Sequence, residues 1–209
     1  MRTHPLRQAA VLVVALALGF GLAACQKSGP DTSADVTIGS PTAKVSVIEY
    51  ASLGCPHCAR WNNEVFPLFK AKYIDTGRVR YIAREALTGD TQIAAAGFLL
   101  AHCAGKDKFF QVTDAVYHQQ LDMYQPGASP HDILLKIGES AGLTQPQFEA
   151  CVGDDAALKA LNARVAHNSA LDKITGTPTY IINGKTYEHG EMSMADLDKA
   201  IAEAEAGAK

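Results

Sequence analysis

Two cysteines, Cys55 and Cys58, lie where a predicted strand and turn are followed by a predicted helix. Residues 43–50 alternate and are rich in β-branched side chains, which predicts a partly buried strand. A four-residue turn follows. After Cys55, apolar side chains recur every three or four positions, which predicts a helix packed on a sheet; they are Trp61, Val65, Phe66, Leu68 and Phe69. Cys55 is therefore predicted to lie at a helix N-terminus.

This position suits thiol–disulfide exchange. The thiolate is the attacking species and the amides of a helix N-terminus stabilise it, so Cys55 is predicted to be an exposed nucleophile. Cys58 lies one turn further along, where it can resolve a mixed disulfide. Pro56 suits the first helical turn, and His57 is predicted to place a cation or a hydrogen-bond donor near the Cys55 sulfur. Such stabilisation of the reduced form favours a donor of disulfides.

The remaining pattern predicts a mixed α/β domain. Residues 89–173 carry almost no strand signal and are predicted to form four or five helices, and residues 193–206 a last amphipathic helix. Asn183-Gly184 is a strong hairpin turn signal. Further strands are predicted at residues 78–83, 179–182 and 186–189.

Two separated motifs resemble the DsbA-like oxidoreductases. Cys55-Pro56-His57-Cys58 matches their active-site motif, and Gly176-Thr177-Pro178-Thr179 is similar to their cis-proline loop. The resemblance extends from about Val45 to the C-terminus. It implies a thioredoxin-like fold with an inserted helical domain. It also implies that Pro178 lies opposite the cysteines and that the backbone of Thr177 binds the substrate peptide.

The resemblance also concerns Glu49, which matches an acidic position that the family places beneath the active site. A buried carboxylate there could accept the proton of Cys58 by general acid–base catalysis. A surface glutamate on an edge strand fits the sequence equally well.

The resemblance implies an enzyme that oxidises dithiols in reduced or unfolded exported proteins without a cofactor and is reoxidised by a membrane quinone-linked DsbB-like oxidase. A reductase or isomerase, for example in cytochrome maturation, is the alternative, and Thr177 keeps it open. A third possibility is a peptide-binding module whose cysteines are idle, against which the intact Cys-x-x-Cys pair argues.

The N-terminus has the layout of an export signal. Arg2 and Arg7 precede an apolar run that is too short for a comfortable membrane span. Leu22-Ala23-Ala24-Cys25 resembles the lipobox of bacterial lipoproteins, which implies a lipid anchor at Cys25 and a periplasmic location at a membrane. Ordinary secretory cleavage and an uncleaved anchor remain alternatives.

Cysteine parity agrees with that interpretation, because five cysteines minus a lipidated Cys25 leave an even number. An exported context permits disulfides. Cys103 and Cys151 are interpreted as a structural disulfide joining two helices, as in a subset of DsbA-like proteins. Two free buried thiols are the alternative.

Length and composition set the remaining bounds. The predicted division is a signal (1–24), a lipidated N-terminus and linker (25–36), a thioredoxin-like domain (37–88 plus 174–209) and a helical insertion (89–173). A formal net charge of −3 and the absence of a nucleic-acid motif argue against a nucleic-acid partner. No metal is predicted, because no second close pair of Cys or His ligands accompanies Cys55 and Cys58.

Overall fold

A mixed five-stranded sheet lies at the centre of the computed structural model, which describes Met1 and residues 35–188 and 190–208. The spatial order is β1-β3-β2-β4-β5, with β2 and β3 parallel and the other neighbours antiparallel. The predicted signal after Met1, Cys25, most of the linker and His189 lie outside the described residues. The strands are β1 (Val36–Gly39), β2 (Val45–Ala51), β3 (Val79–Glu85), β4 (Thr179–Ile182) and β5 (Lys185–Tyr187).

The sequence predicts four of these strands to within a few residues and misses β1. This strand has four residues, of which only Val36 is buried, so its sequence carries little alternation. Its backbone pairs with β3, from Val36 opposite Ala83 to Gly39 opposite Arg80. Pairing with β3, rather than a local pattern, makes this segment a strand.

The turn between β4 and β5 is the predicted hairpin. Asn183 and Gly184 have φ angles of 44° and 84°, as a two-residue primed turn requires. The Asn183 Oδ1 also accepts a hydrogen bond from the Ser46 amide at 2.8 Å. The turn is thereby tied to β2.

The single amphipathic helix predicted after Cys55 is divided into α1 (Pro56–Glu64) and α2 (Phe66–Phe69), followed by a π-helical turn, Lys70–Ile74. Pro67 explains the break, because proline lacks an N–H and its ring would clash with the carbonyl four residues earlier in a continuous helix. Leu68 is 59% exposed, so its prediction as a packing residue is wrong.

Five helices connect β3 to β4, and α8 (Met194–Gly207) ends the described chain; Ser193 caps α8 as predicted. Cys58 belongs to a hydrophobic core shared with this helical block, and Trp61 to a second core shared with the sheet and α8. The Trp61 Nε1 donates to the Met192 carbonyl at 2.9 Å, so α1 is held between the two cores. The five helices are α3 (Thr91–Cys103), α4 (Phe109–Met123), α5 (Pro130–Ser140), α6 (Gln145–Val152) and α7 (Asp155–Leu171).

None of the helices in the described part of the chain is both long and apolar enough to cross a bilayer.

Buried ion pairs tie the helical block to the sheet. Arg84 on β3 binds the Asp172 carboxylate at 2.6 Å and donates to the Tyr50 hydroxyl at 2.8 Å. The next residue, Glu85, binds Arg164 of α7 at 2.9 Å. Because β3 runs beside β2, these contacts set α7 against the strand that leads to Cys55.

A disulfide joins Cys103, the last residue of α3, to Cys151 in α6, with a Cα–Cα distance of 6.1 Å. The two cysteines are 48 residues apart in sequence. In the loop-entropy model, such a crosslink stabilises the folded state by roughly 4 kcal/mol.

We therefore expect a reductant to lower the thermal midpoint of a Cys55→Ser, Cys58→Ser variant, in which the Cys103–Cys151 bridge is the reducible bond among the described residues. Scanning calorimetry with and without reductant measures this change. A variant that also carries Cys103→Ser and Cys151→Ser is the control and should not respond. An equal midpoint for the bridged protein under both conditions would contradict the structural role of the bridge.

Candidate active site

Cys55 is the N-cap residue of α1 and follows directly on the turn that ends β2. Its amide donates to the Ser52 carbonyl at 3.0 Å, which closes the turn. Its Sγ accepts a hydrogen bond from the Cys58 amide at 3.5 Å, and Pro56 occupies the first helical turn. The structure places the Cys55 sulfur at a helix N-terminus, as the sequence predicts. Both Cys55 and Cys58 are free thiols.

The two thiols differ sharply in acidity. Hydrogen bonding from the Cys58 side chain outweighs burial and lowers the pKa of Cys55 to about 5. The side chain of Thr177 and the backbone amides of Cys58 and His57 lower this pKa further. Burial, followed by the hydrogen bond and charge of Cys55, raises the pKa of Cys58 far above its usual value. One sulfur is therefore prepared to carry negative charge and the other to keep its proton.

The cis peptide bond Thr177-Pro178 lies beside Cys55. The Cys55 Sγ lies 3.6 Å from the Thr177 carbonyl oxygen, to which it donates. Cys55 is only 6% exposed, so the expectation of an exposed sulfur was too strong. The loop that carries Thr177 lies against it.

The His57 imidazole is paired with Glu191 rather than with the Cys55 sulfur, which differs from its predicted role. The His57 Nδ1 lies 2.8 Å from the Glu191 carboxylate, and the side chain is 65% exposed. Within the described residues, no hydrogen bond joins the imidazole to the Cys55 sulfur. The contribution of His57 to the acidity of Cys55 comes from its backbone amide.

Glu49 lies in the interior, on the central strand β2, and is 4% exposed. The interpretation as a surface glutamate on an edge strand is therefore wrong, because β3 and β4 flank β2 on both sides. The Tyr81 hydroxyl donates to its carboxylate. Burial outweighs this bond and raises the pKa of Glu49 to about 8, and the charge of Glu49 acts on Cys58.

No group of three or more His, Cys, Asp or Glu side chains in the described part of the chain is arranged to hold a metal ion. Among the histidines, His102 contacts Glu85 and Arg164, the residues that pair β3 with α7. His131 is paired with Asp132 and Glu149 at the surface.

Comparison with known proteins identifies the family. Residues 31–203 match the protein family described as thioredoxin. The chain belongs to the thioredoxin family. Within it, a relative from Rickettsia bellii, named "Putative protein-disulfide oxidoreductase", is 32% identical over 81% of this chain and 65% of its own length. A relative of the same name from Rickettsia felis is 32% identical over 84% and 63%. The chain thus spans less than two thirds of the length of these curated relatives.

Solved structures give the same placement in the thioredoxin family. Alpha-DsbA1 from Wolbachia pipientis has a TM-score of 0.74 and 27% identity, covering 84% of this chain and 92% of that one. BdbD from Bacillus subtilis in its oxidised form shares the fold, with a TM-score of 0.68 at 20% identity over 84% and 95%. The predicted thioredoxin-like α/β fold is confirmed, and the chain is a DsbA-like member of the thioredoxin family.

Several residues of this thioredoxin-family site carry no local sequence signal. The Gln120 Nε2 donates to the carbonyls of Leu53 and Cys55 at 2.7 and 3.3 Å. The Thr88 hydroxyl lies 2.6 Å from that of Thr177 and holds the cis-proline loop. These residues come from α4 and from the loop after β3, and only the fold brings them to the motif.

Gly54 and Gly89 allow two loops to touch beside Cys55. A Cβ on Gly54 would lie 2.1 Å from the Asp90 carbonyl oxygen, and one on Gly89 would lie 2.0 Å from the Gly54 oxygen. Gly89 also has a φ of 68°. The N-terminus of α3 can therefore approach the turn before Cys55 only without these side chains.

We expect Gly54→Ala to destabilise the protein by about 3 kcal/mol, because the obstructing atoms are backbone atoms that cannot rotate away. Chemical denaturation of the oxidised protein measures the change. Gly207→Ala is the matched control, since a Cβ there meets nothing within 4 Å. Equal stability of the two variants would show that the loops separate at little cost.

Proposed function

We propose that this protein is a dithiol oxidase that introduces disulfides into exported proteins through Cys55 and Cys58. The observation that supports this best is the unequal acidity of the thiols, with the pKa of Cys55 lowered to about 5 and that of Cys58 raised. At neutral pH the reduced protein then carries a Cys55 thiolate. Stabilisation of the reduced form makes the disulfide a stronger oxidant.

In the proposed reaction, a substrate thiolate attacks the Cys55 sulfur of the Cys55–Cys58 disulfide. The bond between the two sulfurs breaks, its electron pair leaves on Cys58, and Cys58 takes up a proton. A second substrate thiolate attacks the substrate sulfur of the mixed disulfide, and Cys55 leaves as a stable thiolate. Two substrate thiols have become one disulfide, and the two electrons reside on the cysteines of the enzyme.

Glu49 is the proposed source of the proton for Cys58. With a pKa of about 8, its carboxyl group is mostly protonated at neutral pH. The sequence suggested an acceptor for the Cys58 proton; during substrate oxidation the same group acts as the donor, and it accepts a proton when the enzyme is reoxidised.

The backbone beside the cis proline is the proposed contact for the substrate chain. The 3.6 Å separation between the Cys55 Sγ and the Thr177 oxygen means that a peptide bonded to Cys55 must lie against this loop. Extended peptide backbone can hydrogen-bond there whatever its side chains, which suits an enzyme that acts on many unfolded chains.

The proposed setting is the periplasmic side of a bacterial membrane, with a lipid anchor at Cys25 and reoxidation by a quinone-linked DsbB-like membrane partner. The predicted export signal and the four residues that end at Cys25, which resemble a lipobox, support this proposal. Mass spectrometry of the purified mature protein tests the anchor: a diacylglycerol-sized addition on an N-terminal Cys25 is expected, and an unmodified N-terminus would contradict it.

The reduction potential of the Cys55–Cys58 couple, equilibrated with glutathione, tests the proposed activity. An oxidase should have a potential well above that of thioredoxin, which is about −270 mV, and closer to about −120 mV. A value near that of thioredoxin would overturn the proposal in favour of a reductase. Failure to form a reversible couple would overturn it in favour of a peptide-binding module.

A further inference from the structure

We propose that Glu191 is a positioning residue that weakens the oxidising power of the active site by pairing with His57 and Arg60 on α1 and offsetting the positive charge near Cys55. This inference rests on the proposed function, because it concerns the potential of the same couple. Glu191 lies in the segment between β5 and α8, 136 residues after Cys55, and no motif marks it.

The geometry at Glu191 is that of a shared anion. Its Oε1 lies 2.8 Å from the His57 Nδ1 and 3.1 Å from the Arg60 Nη1. His57 and Arg60 are 65% and 52% exposed, whereas Glu191 is 23% exposed. One partly shielded carboxylate therefore contacts both the imidazole of His57 and the guanidinium of Arg60 on α1, the helix that Cys55 caps.

Charge balance gives the direction of the effect. A carboxylate bound to His57 and Arg60 offsets the positive potential that these groups would exert on the Cys55 thiolate, and it adds a negative charge of its own. A guanidinium is a permanent cation in proteins, so the charge of Arg60 is uncompensated once the carboxylate is removed. Loss of Glu191 should therefore stabilise the thiolate.

Other charged groups line the same cleft between β5 and α8, and two of them are paired away from His57. Lys185 binds Glu203 at 3.0 Å, and Asp196 caps α8 through Ser193. Glu203 is therefore a matched control: it is a carboxylate of the same cleft that is paired away from α1. The charged residues that line this cleft are Lys185, Glu188, Glu191, Asp196, Lys199 and Glu203.

The test is the titration of the Cys55 thiolate by its ultraviolet absorbance, together with the equilibrium constant of the couple with glutathione, in Glu191→Gln. Glutamine preserves the size of the side chain and its oxygen acceptor and removes the charge. We expect the pKa of Cys55 to fall by about half a unit because these side chains are partly exposed. Since neutral pH lies above the Cys55 pKa of about 5, the equilibrium constant should shift roughly threefold toward the reduced enzyme.

Three further variants separate a charge effect from a structural one. Arg60→Gln should move the pKa of Cys55 upward, because it leaves the carboxylate uncompensated, and Glu203→Gln should leave it unchanged. In a His57→Ala background, the effect of Glu191→Gln should become smaller. High salt should reduce the effect of each charge removal.

Failure of this inference can be distinguished from failure of the proposed function. A strongly oxidising wild-type couple with an unchanged or raised pKa of Cys55 in Glu191→Gln would overturn the role of Glu191 alone. A wild-type couple with a potential near that of thioredoxin would overturn the oxidase, whatever the variant shows. Equal shifts in Glu191→Gln and Glu203→Gln would also overturn the role of Glu191, because the effect would then follow net charge rather than contact with His57.

Discussion

Replacement of Cys55 by serine should reduce dithiol oxidation to the uncatalysed background, whereas replacement of Cys58 should leave a mixed disulfide trapped on Cys55. The Cys55 sulfur has a pKa lowered to about 5 and is, in the proposed reaction, the sulfur that forms the mixed disulfide. A serine hydroxyl at that position does not ionise at neutral pH and cannot form a disulfide. Oxidation of a peptide with two thiols, followed by thiol titration, measures the loss.

The trapped species has a simple readout. In Cys58→Ser, the Cys55 thiolate attacks oxidised glutathione, releases one glutathione thiolate and keeps the other glutathione in a mixed disulfide. Mass spectrometry should find this adduct on Cys55, and it should persist because the buried partner that resolves it is absent. A stable adduct on Cys58 in the Cys55→Ser variant would instead make Cys58 the nucleophile and reverse the two roles.

The control for both variants is the double substitution Cys103→Ser, Cys151→Ser. These cysteines bridge α3 and α6 and lie outside the Cys55 turn. Their loss should lower stability and leave the exchange rate of the folded protein unchanged. A loss of exchange as large as that of Cys55→Ser would mean that the bridge belongs to the reactive site.

Local sequence pattern was sufficient to predict the segment that carries the nucleophile. Alternation in β2, a short turn and an apolar helical face determine where the sulfur of Cys55 lies, because each depends on neighbours within a few residues. The cis-proline loop is different. Thr177 is 122 residues from Cys55, and only the family resemblance, rather than spacing, connected the two in the sequence.

The residues that surround the sulfur depend on tertiary structure and could not be predicted in this way. Whether Glu49 is buried depends on which strands flank β2, and that is determined by pairing with β3 and β4. The orientation of His57 depends on Glu191, which is 134 residues away. The motif thus predicts which sulfurs lie at the helix start, while burial and contacts made through the fold, such as those of Thr177 with Cys55 and of Glu49 with Cys58, contribute to their acidity.

The buried carboxyl of Glu49 gives the second large prediction: Glu49→Gln should stabilise the protein and slow the exchange reaction. Glutamine is nearly isosteric and can accept the hydrogen bond that Tyr81 donates. The Tyr180 hydroxyl also interacts with the Glu49 carboxylate, and the glutamine side chain can hydrogen-bond with it. The substitution removes a buried ionisable group and retains the packing.

The gain in stability should depend on pH in a defined direction. Because burial raises the pKa of Glu49 from 4.5 to about 8, the native protein disfavours the ionised carboxyl relative to the unfolded chain. Its contribution to stability is fully present below pH 4.5 and is lost progressively as the pH rises through about 8. At 1.36 kcal/mol per pKa unit, the free energy of unfolding of Glu49→Gln should exceed that of the wild type by roughly 5 kcal/mol above pH 8 and by little below pH 4.5.

Denaturant unfolding of both proteins across this pH range measures the difference directly. The depressed pKa of Cys55 acts in the opposite direction, with stability lost as the pH falls through about 5. That contribution is common to both proteins and largely cancels when one curve is subtracted from the other. Substitution of the exposed Glu139 by glutamine is the control and should give a nearly flat difference. A flat difference for Glu49→Gln as well would mean that its carboxyl ionises freely in the folded protein.

The slower exchange predicted for Glu49→Gln follows from the loss of the proton that the Glu49 carboxyl carries. When substrate reduces the enzyme in the proposed reaction, Cys58 leaves as a buried thiolate. Its pKa is raised, so this thiolate takes up a proton, and protonated Glu49 can supply it. Loss of general acid–base catalysis typically costs about a hundredfold or more in rate. Stopped-flow measurement of enzyme reduction by a dithiol peptide should therefore show slower reduction of Glu49→Gln at neutral pH. A variant that is more stable yet equally fast would separate the two roles and leave Glu49 as a buried charge with no part in proton transfer.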